Sequence, residues 1–151
     1  MPLYPFQEQV YEAIAAGRSV ILQAPTGAGK THAALYPFLH AWEHREDFPR
    51  KCIYSVPLRV LADQFWEEYQ DHPDLFDFQR PLDVGIQTGA QPNDQKLEDN
   101  LIFTTVDQTL SNMFNIPYAL SLGQGKLNAG AVIESYLVFD ELHLFDPENM
   151  L

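Results

Sequence analysis

Apolar and polar positions along the chain switch repeatedly between a helical period and short β-type runs. Phe6, Val10, Ala13 and Ile14 recur at helical spacing, with Gly17 placed to close that helix. Ser19-Val20-Ile21-Leu22-Gln23 is β-rich and predicts a strand. The glycine-rich turn Gly27-Ala28-Gly29 follows, then a helical stretch from Lys30 to about His44. Pro37 inside that stretch should kink it or weaken one turn. A strand is predicted over Lys51–Val56, and Leu58, Leu61, Ala62, Phe65, Trp66 and Tyr69 mark one apolar helix face. Asp71 to Asp83 is acidic and carries two prolines, so it reads as a loop. Val84–Gln87 is a weak strand, and Gly89–Asn100 a polar loop with room for a helical turn. Leu101–Thr105 predicts another strand, and a helix follows from Asp107 to Asn115 with Asp107 as its cap. Ser121–Asn128 is glycine-rich and loose, and Tyr136–Phe139 is an apolar strand ending in Asp140-Glu141.

Strands alternating with helices argue for an α/β fold with a mostly parallel sheet and flanking helices. Ligands of such sheets sit at the carboxyl ends of strands. Polar clusters fall at three such ends, after Gln23, after Phe103 and after Phe139. The 151 residues suit one domain, and a 46% hydrophobic, 20% charged composition argues against wholesale disorder. A net charge of −12 excludes a simple polybasic nucleic-acid or membrane binder, though not a local basic track. The single cysteine, Cys52, excludes an internal disulfide framework and fits a reducing compartment. The start of the chain has no signal-peptide pattern, and no apolar run reaches the ~18 residues of a membrane span. The expectation is a soluble, cytoplasmic chain with no membrane partner.

Ala24-Pro25-Thr26-Gly27-Ala28-Gly29-Lys30-Thr31 carries the strongest chemistry. The strict phosphate-loop pattern asks for glycine where Ala24 stands, and the rest fits, between a predicted strand and a predicted helix. Gly27 and Gly29 tolerate backbone angles that let N–H groups converge on phosphate oxygens at a helix N-terminus. Lys30 supplies charge to the terminal phosphates, and the Thr31 hydroxyl can ligate Mg²⁺. The plainer alternative is a glycine-rich turn with a surface lysine. Asp140 and Glu141 close an apolar strand, where one carboxylate can hold Mg²⁺ and the next can orient an attacking water. Alone, the same pair could be a helix cap after a buried strand. His143 follows two residues later, spaced to join them.

Together these segments resemble the first RecA-like domain of a superfamily 2 helicase. Gln7 in Tyr4-Pro5-Phe6-Gln7 looks like the adenine-reading glutamine, and Ala24–Thr31 looks like motif I. Val56-Pro57-Leu58-Arg59-Val60-Leu61-Ala62-Asp63-Gln64 looks like motif Ia, and Thr88-Gly89 like the Thr-Gly of motif Ib. Thr104-Thr105-Val106-Asp107-Gln108 resembles a later motif that touches the nucleic-acid backbone, and Asp140-Glu141-Leu142-His143 is a DExH-type motif II. The resemblance implies a RecA-like P-loop NTPase fold. It implies ATP bound by Gln7, Thr26, Gly27, Ala28, Gly29, Lys30 and Thr31, and Mg²⁺ on Thr31 and Asp140. Lys30, Asp140, Glu141 and His143 become the catalytic set. Pro57, Arg59, Thr88, Gly89, Thr104, Thr105 and Asp107 become contacts to single-stranded DNA.

Thr-Thr-Val-Asp-Gln-Thr-Leu and Asp-Glu-Leu-His-Leu-Phe-Asp look most like the CRISPR-associated helicase of type I systems. That resemblance implies ATP-driven unwinding or translocation on DNA, with a separate HD nuclease and the guide-RNA effector complex as partners. Another superfamily 2 motor, from restriction or repair, is the alternative, and a nucleotide-binding module without motor activity a third. Within these 151 residues no motif III follows Glu141, and no segment resembles the second RecA-like domain with its arginine fingers. The expectation is therefore the amino-terminal part of the first RecA-like domain, incomplete at the C-terminus, inactive as a motor by itself and marginally stable. Two weaker signals remain. His40-Ala41-Trp42-Glu43-His44 matches a zinc-protease spacing but sits where histidines also suit a helix C-terminus. Tyr4 and Phe6 could flank an adenine or simply pack.

Overall fold

The computed structural model describes residues 3–44, 46–71, 80–88, 91–92, 97–114 and 129–144. The chain forms two compact units, residues 1–48 and 49–151.

The first unit holds helix α1 (Pro5–Ala15) and helix α2 (Lys30–His44), which pack on each other. Pro5 opens α1, where a missing N–H costs nothing. Gly17, at φ 74°, closes it in a Schellman arrangement: Arg18 N–H bonds Ala13 O at 3.0 Å and Gly17 N–H bonds Ile14 O at 2.8 Å. Helix α2 runs on through Pro37 and buries Ala33, Leu35, Phe38, Ala41 and Trp42. The expected strand over 19–23 does not form, and the Ile21 side chain is fully exposed at 101%. A β-run becomes a strand only when a neighbour takes its backbone groups, and among the described residues none pairs with this segment.

The second unit is a five-stranded sheet ordered β3-β2-β4-β1-β5. Its strands are β1 (Cys52–Val56), β2 (Val84–Thr88), β3 (Gln91–Pro92), β4 (Leu101–Thr105) and β5 (Tyr136–Phe139). The four longer strands are parallel, and only β3 runs antiparallel, against β2. Helices α3 (Arg59–Tyr69) and α4 (Val106–Met113) follow β1 and β4. This is the RecA-like α/β architecture, a mostly parallel sheet with flanking helices.

Side chains alternate faces along each strand, so register sorts the core. Ile86, Phe103, Tyr54 and Val138 stand level in a row across β2, β4, β1 and β5. Helix α3 covers this face, with the Phe65 ring 5.7 Å from Phe103 and 5.4 Å from Tyr54. The opposite face carries Ile53 and Ile102 in a cluster with Leu97 and Val132, flanked by Leu137. Helix α4 lies on that side, where buried Ser55 and Thr109 share a hydroxyl hydrogen bond of 2.7 Å. Asn112 Nδ2 donates to Gln87 Oε1 at 2.7 Å, also buried.

Three local expectations change. Thr105, not Asp107, occupies the cap position of α4, and Asp107 lies in the first turn. A carboxylate there still meets the positive end of the helix dipole, so the sequence signal was real but shifted. Strand β2 extends to Thr88, and Gln91–Pro92 pairs back onto it inside a stretch expected to be loop. The segments 72–79 and 121–128, and Gly89, lie outside the described residues. Among the described residues no helix is long and apolar enough to cross a membrane.

Candidate nucleotide site and the strand-end row

Residues 24–31, the candidate phosphate loop, lie in the first unit. Gly27 and Gly29 adopt φ of 78° and 86°, the left-handed region that disfavours a Cβ. Ala28 N–H closes a turn onto Pro25 O at 3.2 Å. The first helical bond of α2 is Ala33 N–H to Gly29 O at 3.0 Å. The amides of Lys30, Thr31 and His32 therefore belong to the helix's first turn, where N–H groups lack intrahelical partners. Lys30 Nζ donates to Ala24 O at 3.0 Å and Pro25 O at 3.2 Å, which folds its ammonium over the loop. Lys30 is also the only charged residue of the segment. Turn amides, a helix N-terminus and one ammonium form a donor set suited to a polyphosphate.

Gln7 is buried and belongs to this loop. Its Nε2 donates to Gly29 O at 3.1 Å, and its Oε1 accepts Tyr4 N–H at 2.8 Å. A Cβ at Gly29 would come within 2.8 Å of Gln7 Nε2. The side chain thus ties the start of α1 to the loop. Tyr4 is exposed and stacks on Phe6 with centroids 6.4 Å apart.

The acidic pair lies in the second unit, beyond β5. Asp140 N–H donates to Ser55 O at 2.9 Å, extending the sheet by one bond. Its Oδ1 accepts Glu141 N–H at 2.8 Å, and its Oδ2 accepts the Tyr54 hydroxyl at 2.7 Å. Glu141 sits at φ 52°, and Leu144 N–H bonds its carbonyl at 2.9 Å. A non-glycine residue in this region costs about 1–2 kcal/mol. His143 lies in the short 3-10 turn Leu142–Leu144, and its side chain is outside the described residues.

The nucleic-acid candidates mark the carboxyl ends of three adjacent strands. Val56 is level with Thr105, and Gln87 with Thr104, so Pro57, Thr105 and Thr88 end β1, β4 and β2 side by side. Helices α3 and α4 start there, capped by Leu58 and Thr105 without a side-chain cap bond. Arg59 is exposed and pairs with Asp63 at 3.6 Å. Asp107 is exposed in the first turn of α4. Thr104 is set apart: it is buried, and its hydroxyl donates to Thr105 O at 3.4 Å. Thr88 is buried as well, and its Oγ1 has no partner among the described residues.

The model of the DEAD/DEAH box helicase family matches residues 4–150. The chain belongs to this family. The chain is 32% identical to ATP-dependent DNA helicase Hel308 of Thermoplasma acidophilum over 155 aligned positions, which cover 97% of this chain and 19% of that protein. It is 27% identical over 148 positions to the human U5 small nuclear ribonucleoprotein 200 kDa helicase, covering 96% of this chain and 6% of that protein. A DEAD-box ATP-dependent RNA helicase, CshB of Bacillus cereus, is 40% identical over 63 positions, 41% of this chain and 14% of that one. The chain spans about a fifth or less of the length of these relatives.

Two residues of this helicase domain were missed at the sequence level. Tyr54 and Ser55 both hold Asp140, one by a hydroxyl and one by a carbonyl. The only available signal was a polar pair inside an otherwise apolar strand. His40 and His44 have partners of their own: His44 Nδ1 lies 2.9 Å from His40 O, and His40 Nδ1 lies 3.4 Å from Glu46.

Proposed function

We propose that this chain is the ATP-binding part of an ATP-dependent DNA helicase or translocase. One observation carries the reading. The loop with Gly27 and Gly29 in left-handed conformations delivers Lys30 to a helix N-terminus, in a chain whose apolar strand β5 ends in Asp140-Glu141. Lys30 and the first-turn amides bind the polyphosphate, and Gln7 reads the adenine edge from beside Gly29. Mg²⁺, held by the Thr31 hydroxyl and Asp140, would neutralise charge on the phosphates. Glu141 positions the attacking water and takes its proton, with His143 beside it. A second RecA-like domain would supply the arginines that stabilise charge on the transferred phosphoryl group, worth ~10³–10⁵ in rate. Titration of a fluorescent ATP analogue against wild type and Lys30→Ala tests the site; equal affinities would remove it.

Nucleic acid is proposed to cross the strand-end row. Pro57, Arg59, Thr105 and Asp107 surround two adjacent helix starts, and backbone N–H groups there can bind phosphates without reading bases. Local donors make such contact compatible with a net charge of −12. Thr104 would act from beneath, by fixing the backbone of Thr105, and Thr88 and Gly89 are proposed as further contacts. Hel308's name as a DNA helicase supports DNA, whereas the RNA helicase CshB favours an RNA reading. Binding of matched single-stranded DNA and RNA oligonucleotides separates the two. The finer assignment is CRISPR type I interference, with an HD nuclease and a guide-RNA complex as partners. It is supported by the strings Thr104–Leu110 and Asp140–Asp146. Guide-dependent DNA degradation reconstituted with those partners tests it, and degradation without this protein would refute it.

A further inference from the structure

We propose that Tyr54 is a positioning residue, whose hydroxyl locks the Asp140 carboxylate in the orientation that receives a divalent cation. The inference rests on the nucleotide-site reading above and concerns a residue outside the recognised motifs.

The row Ile86–Phe103–Tyr54–Val138 crosses four parallel strands on the face under α3. Three of its members are pure hydrocarbon. The fourth carries a hydroxyl, on the strand beside β5. Asp140 lies two residues beyond Val138 and so points to the same face. The phenol spans that offset and meets Oδ2 at 2.7 Å, within the range of a charge-assisted O–H···O⁻ bond.

The donor is rigid. Tyr54 is fully buried, with Phe65 at 5.4 Å and Phe103 at 5.7 Å. The carboxylate is held from two sides, since Oδ1 takes the Glu141 amide and Oδ2 the phenol. Rotation about its terminal torsion is then blocked, and each oxygen keeps lone-pair capacity for a further ligand. Phenylalanine would fill the same volume without any need for an acceptor. The hydroxyl therefore matters for what it does to Asp140 rather than for packing. Loss of such an outer partner typically weakens metal affinity ~10–100-fold.

The experiment measures Mn²⁺ as a spin-active stand-in for Mg²⁺. Free Mn²⁺ is followed by electron paramagnetic resonance in the presence of a non-hydrolysable ATP analogue. Tyr54→Phe is expected to bind Mn²⁺ about tenfold more weakly, with nucleotide affinity in the absence of metal unchanged. Phe103→Leu disturbs the same aromatic packing without touching the donor, and should lower the melting temperature while leaving Mn²⁺ affinity near wild type. If Tyr54→Phe does not fold, 4-aminophenylalanine at position 54 retains an N–H donor and should bind Mn²⁺ like wild type. Wild-type Mn²⁺ affinity in Tyr54→Phe, or lost affinity in the amino variant, overturns the proposal while leaving the nucleotide site intact. A wild-type protein that holds nucleotide but no Mn²⁺ removes the metal assignment itself.

Discussion

Replacing Gly29 by alanine separates two physical demands that meet in the phosphate loop. At φ 86°, a Cβ imposes the left-handed penalty of about 1–2 kcal/mol. The same atom would come within 2.8 Å of Gln7 Nε2. Gln7 can swing away, but it then loses its bond to Gly29 O, worth about 0.5–1.5 kcal/mol. The total is about 1.5–3.5 kcal/mol. Gly27 supplies the control, with φ of 78° and nothing within 4 Å of an added Cβ. Gly27→Ala should carry the conformational part alone. In an ATP-analogue titration, Gly29→Ala should bind roughly two- to tenfold more weakly than Gly27→Ala, at ~1.4 kcal/mol per tenfold. The difference should vanish in a Gln7→Ala background, because the contact is already gone. Any direct role of Gln7 toward adenine appears in both arms of that double-mutant cycle and cancels. An undiminished difference in the Gln7→Ala background would refute the contact as its cause.

Gln87→Leu should cost about 1–3 kcal/mol in urea unfolding, because it removes the acceptor of the buried Asn112 Nδ2 bond, whereas the double replacement Gln87→Leu/Asn112→Leu should recover much of that loss. Burial raises the pKa of the Cys52 thiol and of the Tyr136 phenol, and pushes that of Tyr69 up to about 12. Each group stays neutral in the fold at pH values where the unfolded chain ionises, so stability is full below the unfolded values near ~8.5 for cysteine and ~10 for tyrosine, and falls as pH rises above them. Chemical denaturation from pH 7 to 11 should show that decline, and Cys52→Ala should delay its onset. Glu141→Gln in the complete motor should keep ATP binding and slow single-turnover hydrolysis ~10²-fold or more; undiminished hydrolysis would take Glu141 out of the reaction.

The elements were legible where one chain segment contains the whole signal. The apolar face from Leu58 to Tyr69 gives α3, and the runs over 101–105 and 136–139 give β4 and β5 without a shift of boundary. The Schellman closure at Gly17 and the loop geometry at Gly27 and Gly29 are equally local. Features that depend on a distant partner were not legible. The run over 19–23 has a strand's composition, but pairing decides strands, and no described residue supplies it. The Gln87–Asn112 bond joins residues 25 apart in sequence, and the Tyr54–Asp140 bond joins residues 86 apart. Period-2 patterning assigns a side chain to a face, but it does not say which strand lies beside it.

Strand β1 links several of the candidate residues of the second unit. Being parallel to its neighbours, it ends at the same sheet edge as β4 and β5. Alternation then gives two neighbouring residues different tasks. Tyr54 faces α3 and reaches the Asp140 carboxylate. Ser55 faces α4, where its hydroxyl meets Thr109, while its carbonyl takes the Asp140 amide. Thr109 in turn donates to Thr105 O, the cap residue of α4. Asp140 and the start of α4 are thus tied to one strand by short bonds. A displacement of α4 by a bound strand would therefore be felt at Ser55, one peptide from Tyr54. Ser55→Ala cuts the link to Thr109 but keeps the carbonyl. It should leave ATP-analogue affinity without nucleic acid unchanged and reduce any enhancement by single-stranded DNA, by about two- to fivefold for a coupling of ~0.5–1 kcal/mol. Full enhancement in Ser55→Ala would show that the two sites communicate by another route.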